Sequence, residues 1–250
     1  MPVTTINLSG AYENSKLIQY NRLNNASLET HFMYQIWFPV NKLDNLVPYY
    51  SVMLMFTWSG FVYSCITHML FVTLLIYCGV QLEVLQVKMS KITSSSDNSE
   101  ENRKLLWKKL IVEHQYIIEF IETLNNRAMG IVLMEFILSS LDVASVATNA
   151  TKSKANESFW LLCFFALLSY QIFALAWNAN EIKEQSVAIA DHLYNSEWYM
   201  LEKKECQVMQ IILIRAQKPL VITIGPFGPM TTQSALLMFK AAYSYISIMS

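Results

Sequence analysis

The chain has 250 residues and a net charge of -1, with 54% apolar and only 15% charged residues. Soluble domains carry about 25% charged residues, so this composition argues against an ordinary water-soluble domain and predicts an integral membrane protein. The charge is almost balanced, which leaves no bulk electrostatic basis for binding nucleic acid.

The first 30 residues are polar and show neither a signal peptide nor a spanning run, and residues 1–47 are predicted to form an extracellular segment. The first predicted span follows at 48–82. It lies in a stretch without Asp, Glu, Lys or Arg that is bracketed by Asp44 and Glu83. A spanning helix needs about 20 apolar residues, and Pro48 suits the first turn of a helix. This stretch is therefore the strongest membrane signal in the chain.

Residues 83–128 combine a charged loop with an amphipathic helix extension. One face at helical spacing is formed by Leu110, His114, Ile117, Ile118, Ile121 and Leu124. Joined to the next span, residues 103–147 would form one helix about 68 Å long, whereas the hydrocarbon core is about 30 Å thick. The spanning helices are therefore predicted to extend into the cytoplasm, to pack there as a helical layer, and to oligomerise through it.

The second predicted span, residues 129–147, contains Glu135 and Asp142. These residues are seven positions apart and so share one helical face. They could line a hydrated cavity or attract cations toward a pore. Alternatively, Asp142 sits at the outer membrane interface and Glu135 pairs with a basic residue. An extracellular loop is predicted at 148–158, followed by the charge-free third span at 159–178.

The last part of the chain is interrupted by proline and glycine. Residues 179–228 are predicted to form a cytoplasmic segment and a helix that ends near Ile224, at the GPFGP sequence. Residues 229–250 are predicted to form a fourth spanning helix. Lys240 within it faces a pore, or is buried against Glu or Asp of a neighbouring helix. Gln233 could likewise face a pore or hydrogen-bond between helices.

The charge distribution orients the spans. With residues 1–47 outside, the inner segments 83–113 and 178–218 carry eleven basic residues, against five in the two outer segments. This agrees with the positive-inside bias. The candidate N-glycosylation sites all fall outside as well, at Asn7, Asn25, Asn149 and Asn156.

No enzyme chemistry is indicated by the sequence. The four cysteines form no CxxC pair, so neither a disulfide framework nor a zinc site is predicted. No Ser/His/Asp or Cys/His set is assembled, and GPFGP has prolines where a phosphate-binding loop needs free N–H groups. No cofactor or metal is expected.

Several ordered sequence elements point to a known family. They are HFMYQIWFPVNKLDNLVPYY, VEHQYIIEFIETLNN, HLYNSEWYML, ILIRAQKPLVITIG and TTQSALLMFKAAYSYISIM. From His31 onward the chain resembles the C-terminal part of the insect odorant receptors, a seven-helix family with an intracellular N-terminus. The resemblance implies an all-α membrane bundle with four spans, helices four to seven, of an expected seven. We therefore expect an incomplete gene model or transcript.

The resemblance also implies a function. The family consists of odorant-gated cation channels, in which a receptor subunit and a co-receptor subunit assemble as a heterotetramer in the plasma membrane of sensory neuron dendrites. The last helix lines the pore, which in this chain corresponds to residues 230–250. Tyr245 matches the family's late tyrosine, and Ile248 matches its hydrophobic gate, where dewetting can close a pore.

The family's ligand is a small volatile odorant that is bound partly by the fourth helix. In this chain the outer half of the first span offers Met55, Trp58 and Phe61 as candidate ligand contacts. Trp58 is the first choice because it combines ring area with an N–H donor. Packing or lipid contact is the alternative for all three. Other functions left open are a truncated non-conducting receptor, a gustatory receptor and a small transporter that uses the broken final segment.

Overall fold

The computed structural model describes residues 2–24, 45–94, 100–152 and 155–249. These residues are almost entirely helical, with one isolated antiparallel bridge between Thr223 and Pro229. The α-helices are α1 (Pro2–Asn24), α2 (Leu46–Ser94), α3 (Glu100–Lys152), α4 (Ala155–Tyr194), α5 (Lys203–Ala216) and α6 (Thr232–Met249). Short 3-10 turns lie at Trp198–Met200 and Gly225–Phe227. The all-α architecture expected from the sequence is confirmed.

Three of the described helices are long and apolar enough to cross a membrane, and they cover Leu46–Lys91, Glu101–Val146 and Leu161–Tyr194. The first three predicted spans lie within α2, α3 and α4, although the residue limits of each span within its helix stay predictions. The fourth predicted span corresponds to α6, which has 18 residues. At about 1.5 Å per residue this helix is about 27 Å long, close to the thickness of the hydrocarbon core.

The spanning helices extend far beyond the membrane thickness, as predicted. Helix α3 has 53 residues and is about 80 Å long, so the single helix expected over 103–147 is confirmed. Its amphipathic face is confirmed too, because the side chains predicted to share it are buried or half-buried. The buried members are Leu110, His114, Ile117 and Ile121, and the half-buried members are Ile118 and Leu124.

The main core of residues 71–250 lies where these extensions meet. It joins the second half of α2 to α3, α4 and α5, and it includes Leu82, Leu85, Met89, Ile117, Ile121, Ile182, Ile189, Leu193, Met209 and Ile212. Polar contacts hold the same helices together. The Gln86 side chain of α2 donates to the backbone oxygen and the side chain of Gln185 in α4, and Lys88 pairs with Glu113 of α3. Most of the buried apolar side chains therefore belong to the segments predicted as a cytoplasmic layer.

Residues 1–70 form a separate compact unit. Helix α1 contacts the beginning of α2 there, where the Asn14 Nδ2 donates to the Tyr50 hydroxyl at 2.9 Å. Tyr49 and Met53 are buried at the same place. The sequence predicted only an extracellular segment at 1–47, polar over its first 30 residues, and gave no sign of α1. Residues 25–44, including Asn25, lie outside the described part of the chain.

The prediction of a helix ending near Ile224 is wrong, because α5 ends at Ala216. The physical reason is Pro219, which has no N–H to donate and disfavours helical geometry at Lys218 before it. The Arg215 side chain donates to the Lys218 carbonyl at 3.1 Å and so closes the helix end. At the predicted outer loop 148–158, α3 continues to Lys152 and α4 begins at Ala155, so most of that segment is helical.

Candidate functional site: the last helix and its linker

The last helix, α6, begins at a capping arrangement of two hydroxyl side chains. The Ser234 N–H donates to the Thr231 Oγ1 at 3.2 Å, and the Thr231 N–H donates to the Ser234 Oγ at 2.8 Å. Such reciprocal bonds satisfy N–H groups that have no partner inside a helix. The start of α6 is therefore fixed by local sequence.

Helix α6 has two different faces. One face packs on the rest of residues 71–250 through Ala235 and Met238, which are buried. Phe239 extends this face: its ring stacks on Phe173 at 5.6 Å between centroids and meets Phe165 edge-on at 6.2 Å. Both partner rings belong to α4. This face therefore seats α6 against α4.

The opposite face of α6 is an exposed stripe at helical spacing, formed by Gln233, Leu236, Leu237, Lys240 and Ser244. Two residues predicted to face a pore, Gln233 and Lys240, thus lie on one face. The Lys240 side chain is exposed in this chain and has no ion-pair partner among the described residues, so burial against an acidic neighbour within the same chain is not observed. Tyr245 and Ile248 belong to α6, but their side chains lie outside the described part.

Residues 217–231, here called the linker segment, connect α5 to α6. Its side chains Leu220, Ile222 and Ile224 are buried at every second position, the period of an extended chain. The segment turns at Gly225 and Gly228, which have φ angles of +52° and +106°. The Met230 N–H then donates to the Ile222 carbonyl at 2.7 Å. The linker segment is therefore an ordered, self-closed turn.

Side chains of α3 and α4 hold the linker segment. The Asn125 Oδ1 of α3 accepts bonds from the Thr223 N–H at 2.7 Å and from the Thr223 hydroxyl at 3.0 Å. The Ser186 Oγ of α4 accepts a bond from the Leu220 N–H at 3.0 Å. Neither residue was predicted from the sequence, since each is remote in sequence from the backbone that it binds.

The carboxylates of the second predicted span have different surroundings. Glu135 is half-buried and accepts a bond at 3.1 Å from the Gln171 side chain of α4. Its observed partner is therefore an amide, and the basic partner of the second alternative is not seen among the described residues. Asp142 is exposed, which fits the interpretation that places it at an outer interface.

The candidate ligand residues lie together in the first half of α2. Met55, Trp58 and Phe61 are all exposed, and the rings of Trp58 and Phe61 lie 6.1 Å apart between centroids. The three side chains lie along nearly two turns of the helix, and their role in ligand binding stays a prediction. The four glycosylation candidates, Asn7, Asn25, Asn149 and Asn156, have side chains outside the described part of the chain.

A cavity of about 490 Å³ opens between α3 and α5. Apolar side chains of both helices line it, including Ile118 and Ile212, together with the buried His114. The Arg215 side chain crosses its edge and pairs with Glu122 at 3.3 Å. Within the described residues, no group of three or more His, Cys, Asp or Glu side chains could hold a metal ion.

Comparison with known proteins identifies the family. Residues 12–243 match the family described as "7tm Odorant receptor". Odorant receptor 10 of Aedes albopictus is 31% identical over 182 residues, which cover 72% of this chain and 48% of that protein. Odorant receptor 67c of Drosophila melanogaster is 21% identical over 237 residues, covering 93% and 58%. The chain thus spans about half the length of the curated relatives it matches.

Solved structures share the fold. The insect olfactory receptor OR5 from Machilis hrabei matches 98% of this chain with a TM-score of 0.72 at 17% sequence identity, and the chain covers 66% of that receptor. The same receptor in complex with eugenol matches with a TM-score of 0.71 at 16% identity. At such low identity the likeness supports the fold alone. The match along most of the sequence carries the assignment, and the chain belongs to the insect odorant receptor family.

Proposed function

We propose that this chain acts as an olfactory receptor subunit whose last helix lines a cation pore, and that a small volatile ligand opens this pore. The chain assembles with a co-receptor subunit as a heterotetramer in the plasma membrane of sensory neuron dendrites. Family membership supports the receptor role. The two-faced packing of α6 is the observation that carries the channel role.

The exposed stripe of α6 mixes polar and apolar side chains. Gln233, Lys240 and Ser244 lie beside Leu236 and Leu237 on the face turned away from α4. A charged side chain within a spanning helix is costly in lipid and usually faces water or a protein partner. Around a shared axis, such a stripe would line a water-filled path, and its leucines would supply apolar constrictions.

The candidate gate lies near the end of the same helix. Ile248 matches the position of the family's hydrophobic gate, and Tyr245 matches its late tyrosine. In this proposal Ile248 supplies an apolar constriction that closes the pore by dewetting.

Ligand binding is proposed at the first half of α2. The exposed aromatic pair of Trp58 and Phe61, with Met55 nearby, offers apolar area and one indole N–H donor. Apolar walls with few polar groups suit small volatile molecules. The eugenol in the OR5 complex is a ligand of this kind, bound to a receptor with a similar fold.

The test is to express the chain with a co-receptor and to record currents against an odorant panel. Odorant-evoked currents that differ from those of the co-receptor alone are expected. Lys240→Gln should then change the relative permeability to cations, because it removes a positive charge from the pore face. Lys203→Gln, at an exposed lysine of α5, is the matched control and should leave permeability unchanged.

Two results would count against the proposal. Currents indistinguishable from those of the co-receptor alone would favour a non-conducting receptor, which is the alternative function. Equal permeability in the Lys240→Gln and wild-type channels would show that Lys240 does not face the pore.

The ligand site makes a separate prediction. Trp58→Ala is expected to raise the half-maximal odorant concentration about tenfold, which corresponds to a loss of roughly 1.4 kcal/mol of binding free energy.

A further inference from the structure

We propose that Asn125 and Ser186 are positioning residues that hold the linker segment and thereby set where the pore helix α6 begins. This inference rests on the proposed channel function, since it concerns the placement of the helix that would line the pore. Asn125 belongs to α3 and Ser186 belongs to α4, so both residues would act on α6 from other helices.

Asn125 supplies the stronger anchor. A single oxygen, Oδ1, accepts both the backbone N–H and the hydroxyl of Thr223, at 2.7 and 3.0 Å. Asn125 belongs to α3 and Thr223 is separated from it by 98 positions. Both residues are only partly exposed, so water competes weakly for these groups. Loss of the acceptor would leave an N–H and a hydroxyl without a partner in a half-buried place, which is unfavourable.

Ser186 supplies a second anchor on a different helix. Its hydroxyl is buried, donates to the Lys183 carbonyl of α4 at 2.7 Å, and accepts the Leu220 N–H at 3.0 Å. Leu220 directly follows Pro219, where α5 can no longer continue. The linker segment is thus tied to α4 where it leaves α5 and to α3 three residues later.

Hydrogen bonds within the turn connect the anchored residues Leu220 and Thr223 to the start of α6. The Ile224 N–H donates to the Gly228 carbonyl at 2.8 Å, and the Met230 N–H donates to the Ile222 carbonyl at 2.7 Å. Met230 is buried and directly precedes the cap residue Thr231. Because each step is closed by hydrogen bonds, a displacement at Thr223 would be passed on to the first turn of α6. The linker segment therefore fixes the position at which the pore helix begins.

Hydrogen exchange of the full chain, assembled with a co-receptor in lipid nanodiscs, tests directly whether Asn125 holds the linker segment and the start of α6 in place. Asn125→Ala should speed exchange at least fivefold at residues 220–230 and in the first turn of α6. Asn125→Asp keeps the acceptor oxygen and should stay within twofold of wild type. Asn178→Ala is the matched control, because among the described residues the Asn178 side chain bonds only to the Ala174 carbonyl of its own helix.

Odorant-evoked currents test whether the hydrogen bonds between Asn125 and the linker segment affect gating. Asn125→Ala should shift the half-maximal odorant concentration at least threefold, whereas Asn125→Asp and Asn178→Ala should not. Thr223→Val removes one of the two bonds to Asn125, so it should have a smaller effect. The double variant Asn125→Ala, Thr223→Val should behave like Asn125→Ala alone, since Asn125→Ala already removes the bond that Thr223→Val removes.

The possible outcomes separate this inference from the function on which it rests. Unchanged exchange in Asn125→Ala would overturn the inference. Faster exchange in the linker segment, with α6 and the currents unchanged, would also overturn it. If the wild-type assembly gives no currents, the channel proposal fails, and exchange in the first turn of α6 alone decides whether Asn125 positions that helix.

Discussion

At the scale of single residues, the linker segment depends on Gly225, whose φ angle of +52° is rarely adopted by other residues. A Cβ at this position would lie 2.8 Å from the Leu133 Cδ2 and 3.3 Å from its Cβ. We expect Gly225→Ala to lower the free energy of unfolding by about 2–4 kcal/mol, from backbone strain of about 1 kcal/mol and overpacking of about 1–3 kcal/mol. The loss of stability is measured by thermal unfolding in detergent, with size-exclusion chromatography used to detect the folded protein that remains.

Other glycines provide graded controls for this prediction. Gly130 lies within helix α3, and an added Cβ would meet nothing within 4 Å. Gly130→Ala should therefore be neutral or stabilising by up to about 1 kcal/mol. Gly228 has a φ angle of +106° but open space around it, so Gly228→Ala should fall between the other two. Equal stability of Gly225→Ala and Gly130→Ala would contradict the tight fit against Leu133.

At the scale of elements, α5 is tied to α3 by an ion pair at each end. Near its start, the Arg103 Nε lies 3.2 Å from the Glu205 Oε1, and Glu205 is only 4% exposed. Near its end, the Arg215 Nη2 lies 3.3 Å from the Glu122 Oε1, and Glu122 is 59% exposed. The two pairs join the same helices but differ in burial, so they allow a direct comparison.

We expect Arg103→Ala to destabilise the protein by about 2–4 kcal/mol, because it leaves a buried carboxylate without its cation. Arg215→Ala should cost less than about 1 kcal/mol, since water screens and solvates the exposed Glu122. Unfolding in detergent measures the loss of stability in each of the two variants. Adding Glu205→Gln to Arg103→Ala should restore part of the loss, because it removes the unpaired charge. Equal losses in the two arginine variants would contradict this view of α5.

The elements differ in how far the sequence could predict them. Helices α2, α3 and α4 were predictable because long charge-free runs and an amphipathic face are local signals. Helix α1 was not, since its sequence is polar and has no clear apolar stripe, and its contact to Tyr50 is tertiary. The end of α5 was misplaced because the apolar run from Leu220 to Ile224 was interpreted as helix, although Pro219 precedes it and the run packs as extended chain.

The candidate site was partly predictable for the same reason. The family pattern assigned Gln233 and Lys240 to the last helix as candidates for facing a pore. The structure shows both exposed on α6, and their role in a pore stays a prediction. Asn125 and Ser186 could not be found in this way. Each acts on a backbone N–H far away in sequence, and a single Asn or Ser on a helix has many ordinary uses. Only the packing of α3 and α4 around the linker segment gives these side chains their role.

At the scale of the whole molecule, burial and basic charge are distributed unevenly along the long helices. Each long helix contains a strongly apolar stretch, of which only 11% to 22% is buried within the chain. Such stretches need lipid or other helices around them. By contrast, the core of α2, α3, α4 and α5 lies in the segments that carry most basic residues. This arrangement agrees with the proposed cytoplasmic layer and with the positive-inside bias.

The proposed orientation makes a prediction about glycosylation. With residues 1–47 outside, the sequon at Asn25 lies about 20 residues from the start of α2, far enough from the membrane to be modified. Expression in microsomes should therefore give a glycosidase-sensitive product, and Asn25→Gln should reduce its apparent mass. Asn149 and Asn156 should contribute less, since the helices α3 and α4 leave few residues between them.

The matched control places a sequon on the other side of the membrane. Glu100→Thr makes Asn98 the first residue of an acceptor sequence in the segment between α2 and α3. This segment is proposed to be cytoplasmic, so no additional mass shift is expected. A shift that appears with Glu100→Thr would reverse the orientation, and it would place the core of α2, α3, α4 and α5 outside the cell. An unmodified wild-type chain would contradict the outer placement of residues 1–47, because Asn25 is within reach of the glycosylation machinery only on that side.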